Sequence, residues 1–251
     1  MIKKKISYSW RVLRAGFCFA IFGIGALILF FIIFPFINLF TKKKSRNIRR
    51  SVHLSWRFFV FTMSFLRLIS VEVKNLEALK NAKGKLIIAN HPSLIDVVIL
   101  IALIPEADCV VKGALANNFF MRGIIKHAYI INSINVDELF VSCRNSLQAE
   151  NNLIIFPEGT RSSPGKKIPI SRGAAHIAIF SKSDILPIHI KCTPPGLIKG
   201  QKWYEVADEK LNFTLEIKPE IKIEKYLDED LDKSIRSREL TKEIIKTDIF
   251  V

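Results

Sequence analysis

The chain has 251 residues, enough for one large domain with an appendage and a full core. It is 49% hydrophobic with 19 phenylalanines, rich for a soluble protein, and carries a formal charge of +15. The charge does not mark a nucleic-acid binder, whose basic residues would spread over the folded body: 13 of the 38 bases and no acid lie in residues 1–71, and the other 25 bases nearly balance the 23 acids.

Residues 15–40 (AGFCFAIFGIGALILFFIIFPFINLF) form a run of 26 residues without a formal charge. At ~1.5 Å rise per residue this is long enough to cross a hydrocarbon core of ~30 Å. Lys3, Lys4, Lys5, Arg11 and Arg14 precede it, and Lys42, Lys43, Lys44, Arg46, Arg49 and Arg50 follow. Positive flanks on both sides leave its orientation open. Two arrangements fit: a single span, or an in-plane hairpin broken near Gly23-Ile24-Gly25 or Pro35. A cleaved signal peptide fits poorly, since the run is too long and no small-x-small site follows. Residues 54–71 (LSWRFFVFTMSFLRLISV) mix aromatics with Arg57 and Arg67 and read equally as an interfacial helix or a core helix. Residues 1–70 are therefore expected to be a basic, helical membrane anchor whose partner is an anionic membrane surface.

From Val71 the pattern changes to short β-rich runs between helical segments. Strands are expected at 86–90, 107–112, 129–132, 152–160 and 184–191, with further strand character over 211–223. Helices are expected at 93–103, entered through Pro92, and at 117–128, 136–150 and 171–182, with a solvated helix at 231–246. The alternation predicts an α/β domain over residues 71–251, with a mostly parallel sheet flanked by helices. The four cysteines (Cys18, Cys109, Cys143, Cys192) and five histidines show no metal-ligand spacing, so no metal site is expected and a reduced, intracellular setting is the simplest reading.

Two loops at expected strand exits carry the chemistry. In LIIANHPSLIDVV, His91 and Asp96 interrupt an apolar run. Inside one helix, residues five apart would point about 140° apart. With His91 just outside the helix start, its ring folds back toward Asp96, and a carboxylate on one ring nitrogen leaves the other to take a proton from a hydroxyl. This is two-thirds of a hydrolase triad, the hydroxyl coming from a substrate. The plainer alternative is a capping histidine and an unrelated ion pair. Ser93 reads as a helix-start serine sooner than a nucleophile, and no GxSxG elbow is present. In NLIIFPEGTRSS, a buried strand delivers Glu158, Gly159, Thr160 and Arg161; glycine allows close backbone approach and arginine offers a fork suited to phosphate.

NHPSLID followed some 70 residues later by FPEGTRSS resembles the membrane-associated glycerolipid acyltransferases, the 1-acyl-glycerol-3-phosphate (lysophosphatidic acid) acyltransferase group, over roughly residues 75–195. The resemblance implies an O-acyltransferase in phospholipid biosynthesis. In it His91 is the general base, Asp96 orients it, and the acceptor hydroxyl attacks an acyl thioester with no acyl-enzyme. It further implies that Glu158, Gly159, Thr160 and Arg161 bind the acceptor, with Arg161 on a phosphate and Lys112 beside it. Arg172-Gly173 and Leu186-Pro187-Ile188 match later blocks of the family. The second motif departs from the pattern: Lys-x-Glu-Leu is here Lys112-Gly113-Ala114-Leu115, a proline is replaced by Phe120 ahead of Gly123, and an Asp-Arg pair by Asn132-Ser133.

The expected acceptor is a lysophospholipid, the expected donor acyl-CoA or acyl carrier protein, with no cofactor and no nucleic acid. The expected location is the cell's inner or cytoplasmic membrane, with the catalytic domain on its cytoplasmic face. The motif departures keep two alternatives open: a different lipid acceptor (amino-acid, glycolipid or aryl-polyene lipid), or a non-catalytic lipid-binding protein on the same fold.

Overall fold

Short runs of isoleucine, leucine and valine build the centre of the molecule, because such side chains suit a pleated surface covered on both faces. The computed structural model describes residues 2–117, 119, 122–132, 135–162, 169–228, 230 and 232–250. Three helical stretches come first: α1 (Ile2–Ile28), α2 (Phe34–Phe40) and α3 (Lys44–Phe65). Then follow β1 (Ile69–Lys74), α4 (Leu76–Lys80), β2 (Leu86–Ala89), α5 (Asp96–Leu103), β3 (Asp108–Lys112), α6 (Arg122–Ala128) and β4 (Ile130–Asn132). The chain continues through α7 (Val136–Gln148), β5 (Leu153–Ile155), α8 (Gly173–Ser181), β6 (Ile185–Thr193), β7 (Leu211–Ile217) and α9 (Lys233–Lys246).

The strands form one seven-stranded sheet in the order β1-β7-β6-β2-β5-β3-β4. All neighbours are parallel except β6 and β7, so the sheet is mostly parallel, as the alternating pattern predicts, with β1 and β7 reversed at one edge. The central β2 is fully buried and alternates strictly. Ile87 and Ala89 face a layer made by α1, α3, α5 and α6; Leu86 and Ile88 face the opposite layer of α7, α8 and α9.

The apolar N-terminal run is one continuous helix to Phe40. It breaks neither at Gly23–Gly25 nor at Pro35, the two places where the hairpin alternative would break it. Leu29–Ile33 is a π-turn, and Pro35 lies at the start of α2. Widening the turn relieves the ring clash and missing donor that a proline imposes on an α-helix. The reversal comes after the run, at residues 41–43, and α3 returns beside α1. There Phe22 stacks on Trp56 at 5.0 Å and Arg14 donates to Leu66 O at 2.7 Å. One face of α3 (Val52, Trp56, Phe59, Met63) is buried, while Leu54, Phe58, Phe61 and Phe65 are exposed. The core-helix reading of residues 54–71 holds for the buried face, and the opposite face is exposed and apolar.

The structure departs from the sequence expectations at several points: β1 and α4 are not anticipated, and the strand expected over 152–160 is confined to Leu153–Ile155. The helix after β2 begins at Asp96 rather than near Pro92, because residues 93–95 form a turn. The expected 117–128 helix is α6 alone, preceded by a 3-10 segment at Gly113–Asn117. Helix α9 is not simply solvated: Leu240 and Ile244 are buried against the α8 layer. Phe120 and Ser133, two of the motif departures, lie outside the described residues.

Candidate active site

The site starts where β2 ends. Asn90 is buried, and its amide continues the ladder that the backbone has left: Nδ2 donates to Ile190 O at 2.9 Å and Oδ1 accepts from Ile190 N–H at 2.7 Å. This fixes the next residue, His91, at the strand exit. Three further contacts hold its backbone. Its N–H is shared between Glu158 Oε1 at 3.1 Å and Ser162 Oγ at 3.2 Å, and its carbonyl accepts from Ser162 N–H at 2.7 Å. The imidazole lies on the Phe156 ring, with centroids 4.4 Å apart.

His91 Nδ1 lies 2.8 Å from Asp96 Oδ2, and the same oxygen accepts Ser93 N–H at 2.6 Å. Asp96 thus reaches back to a backbone N–H three residues earlier and closes the 93–95 turn ahead of the helix. Asp96 is fully buried. Burial pushes its carboxyl above the ordinary value, while the His91 ring and Ser93 N–H pull it back. With the carboxylate ionised, Nδ1 carries the proton and Nε2 the lone pair. The arrangement can remove a proton from a hydroxyl and stabilise the resulting imidazolium.

The second loop is tied to the first. Glu158 points inward: Ser162 Oγ donates to its carboxylate at 2.8 Å, and the pair hold His91 N–H. Gly159 N–H closes a turn onto Phe156 O at 2.9 Å and has φ +60°, the left-handed conformation that glycine adopts without strain. Thr160 is half-buried. Arg161 Nη1 donates to Leu197 O and Ile198 O, each at 3.0 Å. Leu197 O also accepts Leu94 N–H at 3.0 Å, which joins Arg161 to the His91–Asp96 turn. Lys112 is exposed at the end of β3, register partner of Asn132. Its neighbours Val111 and Leu115 face the cavity that His91 also lines.

That cavity, about 380 Å³, is walled by α1, α3, the 91–98 turn and the loop between β6 and β7. Cys18, Phe22, Trp56, Val98 and Trp203 are among its apolar lining. Sequence reasoning brings out neither the cavity nor the parts played by Asn90, Ser162, Phe156 and the Leu197–Ile198 carbonyls. Ser162 stands inside the FPEGTRSS motif and was within reach; main-chain carbonyls carry no sequence signal. Among the described residues no group of three or more His, Cys, Asp and Glu is placed to hold a metal.

A family model described as Acyltransferase matches residues 70–191. A 1-acyl-sn-glycerol-3-phosphate acyltransferase of Helicobacter pylori is 29% identical over 183 residues, covering 70% of this chain and 71% of that protein. The human 1-acyl-sn-glycerol-3-phosphate acyltransferase beta is 21% identical over 192 residues, covering 72% of this chain and 63% of its own length. The crystal structure of the 1-acyl-sn-glycerophosphate (LPA) acyltransferase PlsC from Thermotoga maritima superposes with a TM-score of 0.68 at 18% identity, covering 97% of each chain, and thus shares the fold.

Proposed function

The chain belongs to the glycerolipid acyltransferase family, and from that premise we propose that it is an O-acyltransferase moving a fatty acyl group from a thioester to the free hydroxyl of 1-acyl-glycerol-3-phosphate. The observation that carries this reading is a histidine on the wall of an apolar cavity with its Nδ1 held by a fully buried carboxylate. His91 Nε2 takes the proton as the acceptor oxygen attacks the thioester carbonyl carbon. The new C–O bond forms, the C–S bond breaks, and the proton passes from His91 to the leaving thiolate. Asp96 orients the ring and balances its charge while it is protonated. The transfer is redox-neutral and calls on no cofactor beyond its two substrates.

Glu158 and Ser162 hold the backbone of the base, Gly159 and Thr160 shape the turn, and Arg161 with Lys112 meets the acceptor phosphate. The apolar cavity takes the acyl chain of the donor, acyl-CoA or acyl carrier protein. Both the acceptor and the product are lipids, so the site works at a bilayer surface. Tyr8–Phe40 is long and apolar enough to cross a membrane, yet its partner α3 also exposes Leu54, Phe58, Phe61 and Phe65. We place both helices in the cytoplasmic leaflet of the inner membrane, with Lys42, Lys43 and Lys44 at its anionic headgroups.

One observation favours a second acceptor. Asn132 is the register partner of Lys112, and it stands at the family's Asp-Arg pair. The arginine of that pair falls at Ser133, outside the described residues, and the sequence lacks it there, as it would for a smaller or less anionic headgroup. Label transfer from acyl-CoA and acyl carrier protein, to lysophosphatidic acid and to neutral or amino-acid lysolipids, decides between the two acceptors. Transfer to lysophosphatidic acid supports the first reading; transfer only to another lysolipid supports the second.

A further inference from the structure

We propose that the loop between β6 and β7 couples the two substrate sites: the Leu197 and Ile198 carbonyls position Arg161 for the acceptor phosphate while the same loop walls the acyl cavity, with Gln201 as its positioning residue. This rests on the acyltransferase reading above and concerns how that site is assembled.

A guanidinium has five N–H donors in a rigid plane. Arg161 commits both hydrogens of Nη1 to the two carbonyls, each at 3.0 Å. Among the described residues Nε and Nη2 have no partner, and that edge is the one that meets a phosphate in bidentate fashion. The two carbonyls thus fix the plane and leave the useful edge open.

The carbonyls are themselves held. Gln201 Oε1 accepts Ile198 N–H at 3.1 Å, Gln201 N–H donates to Ile198 O at 3.2 Å, and Gln201 Nε2 donates to Glu205 O. Leu197 has φ +55°, a conformation unfavourable for leucine that persists only where its surroundings impose it. Its carbonyl accepts from Leu94 in the His91–Asp96 turn as well as from Arg161.

On its other side the loop meets the cavity and the N-terminal helix. Leu197, Gln201, Trp203, Val206 and Ala207 line the cavity. Trp203 lies against Phe19 and Gly16 of α1, where an added Cβ would come within 3.3 Å of the indole, and Tyr8 donates to Tyr204 O at 3.0 Å. A chain entering the cavity therefore presses on the peptide segment that sets Arg161, and a phosphate on Arg161 steadies the cavity wall.

The test is steady-state kinetics of Gln201→Leu, Gln201→Glu, Arg161→Ala and the Arg161→Ala/Gln201→Leu double variant in detergent. The acceptors are lysophosphatidic acid and the phosphate-free 1-acylglycerol. The expected result for Gln201→Leu is a KM for lysophosphatidic acid raised roughly tenfold, about the worth of a hydrogen bond to a charged group, with a clearly smaller change in 1-acylglycerol transfer, since Gln201 also lines the cavity. Gln201→Glu, which keeps the acceptor for Ile198 N–H, restores most of the KM. The double variant shows no KM increase beyond Arg161→Ala alone, since Gln201 acts through Arg161. Equal losses with both acceptors, additive KM effects or an unchanged KM would overturn the coupling while leaving the acyltransferase reading intact. Wild-type protein that does not use lysophosphatidic acid would overturn the phosphate role of Arg161 and with it this inference.

Discussion

Asp96→Asn separates the chemistry of the site from its contribution to stability. The substitution keeps the shape of a side chain that accepts from His91 Nδ1 at 2.8 Å and Ser93 N–H at 2.6 Å, and it removes only the charge. An amide oxygen in the Oδ2 position still accepts both hydrogens, and the NH2 group falls at Oδ1, a buried atom without a hydrogen-bond partner among the described residues. What is lost is the counter-charge for the imidazolium formed as the hydroxyl proton is taken. Loss of that partner in a triad-like unit costs roughly 10³–10⁴ in kcat, about 4–5.5 kcal/mol of barrier. Stability moves the other way. Burial holds the Asp96 carboxyl above its ordinary value, so the unfolded state ionises first as pH rises. The stabilising share of this group is full below the unfolded carboxylate value of about 3.9 and is lost as pH climbs through the raised folded value. Asparagine escapes that loss, so its Tm should match the wild type near pH 4 and equal or exceed it near pH 7. Initial transfer rates and thermal unfolding in detergent across that range read both effects. A variant within tenfold of wild-type rate, or one that melts several degrees lower at neutral pH, would refute the reasoning.

Two further outcomes follow from the cavity and the helices. Cys18 is buried on the cavity wall, so Cys18→Phe should shift preference to shorter acyl chains. Each methylene excluded forfeits about 0.8 kcal/mol, nearly fourfold in kcat/KM; an unchanged profile over thioesters of graded length would count against the cavity as the acyl site. Phe58, Phe61 and Phe65 are each more than 60% exposed on α3, and replacing all three with serine should weaken binding to anionic vesicles. At about 1 kcal/mol per ring the loss is roughly a hundredfold, read by sedimentation. Undiminished binding would place α3 outside the bilayer and leave the anchor to the N-terminal apolar helix.

Much of the sheet was legible because buried parallel strands announce themselves. Residues 86–89 are uninterrupted aliphatics flanked by polar residues, and Leu153–Ile155 is a second aliphatic run, entered from Asn151-Asn152. The reversed edge was not legible, since β7 alternates in the same way whether its neighbour runs parallel or antiparallel. Pro92, favoured at the first position of a helix, points to an earlier start for α5 than the structure has; Asp96, reaching back to Ser93 N–H, shapes the turn before it. Helix α9 reads as solvated because charged residues outnumber apolar ones, yet the four-residue spacing of Leu240 and Ile244 is enough to seat it on α8. At the site, the closeness of His91 and Asp96 could be anticipated from five residues and a proline. The hold of Glu158 on the His91 N–H spans nearly seventy residues and that of two carbonyls on Arg161 comes from a loop more than thirty residues downstream, and local pattern says nothing of such contacts.

The most direct test of the account is label transfer from an acyl thioester to lysophosphatidic acid by purified wild-type protein and by His91→Ala, with folding and vesicle binding of both measured alongside. The account predicts transfer by the wild type and a loss of at least roughly 10²–10⁴ in the variant, with fold and membrane binding retained. A folded, membrane-bound His91→Ala protein that transfers at the wild-type rate would contradict it.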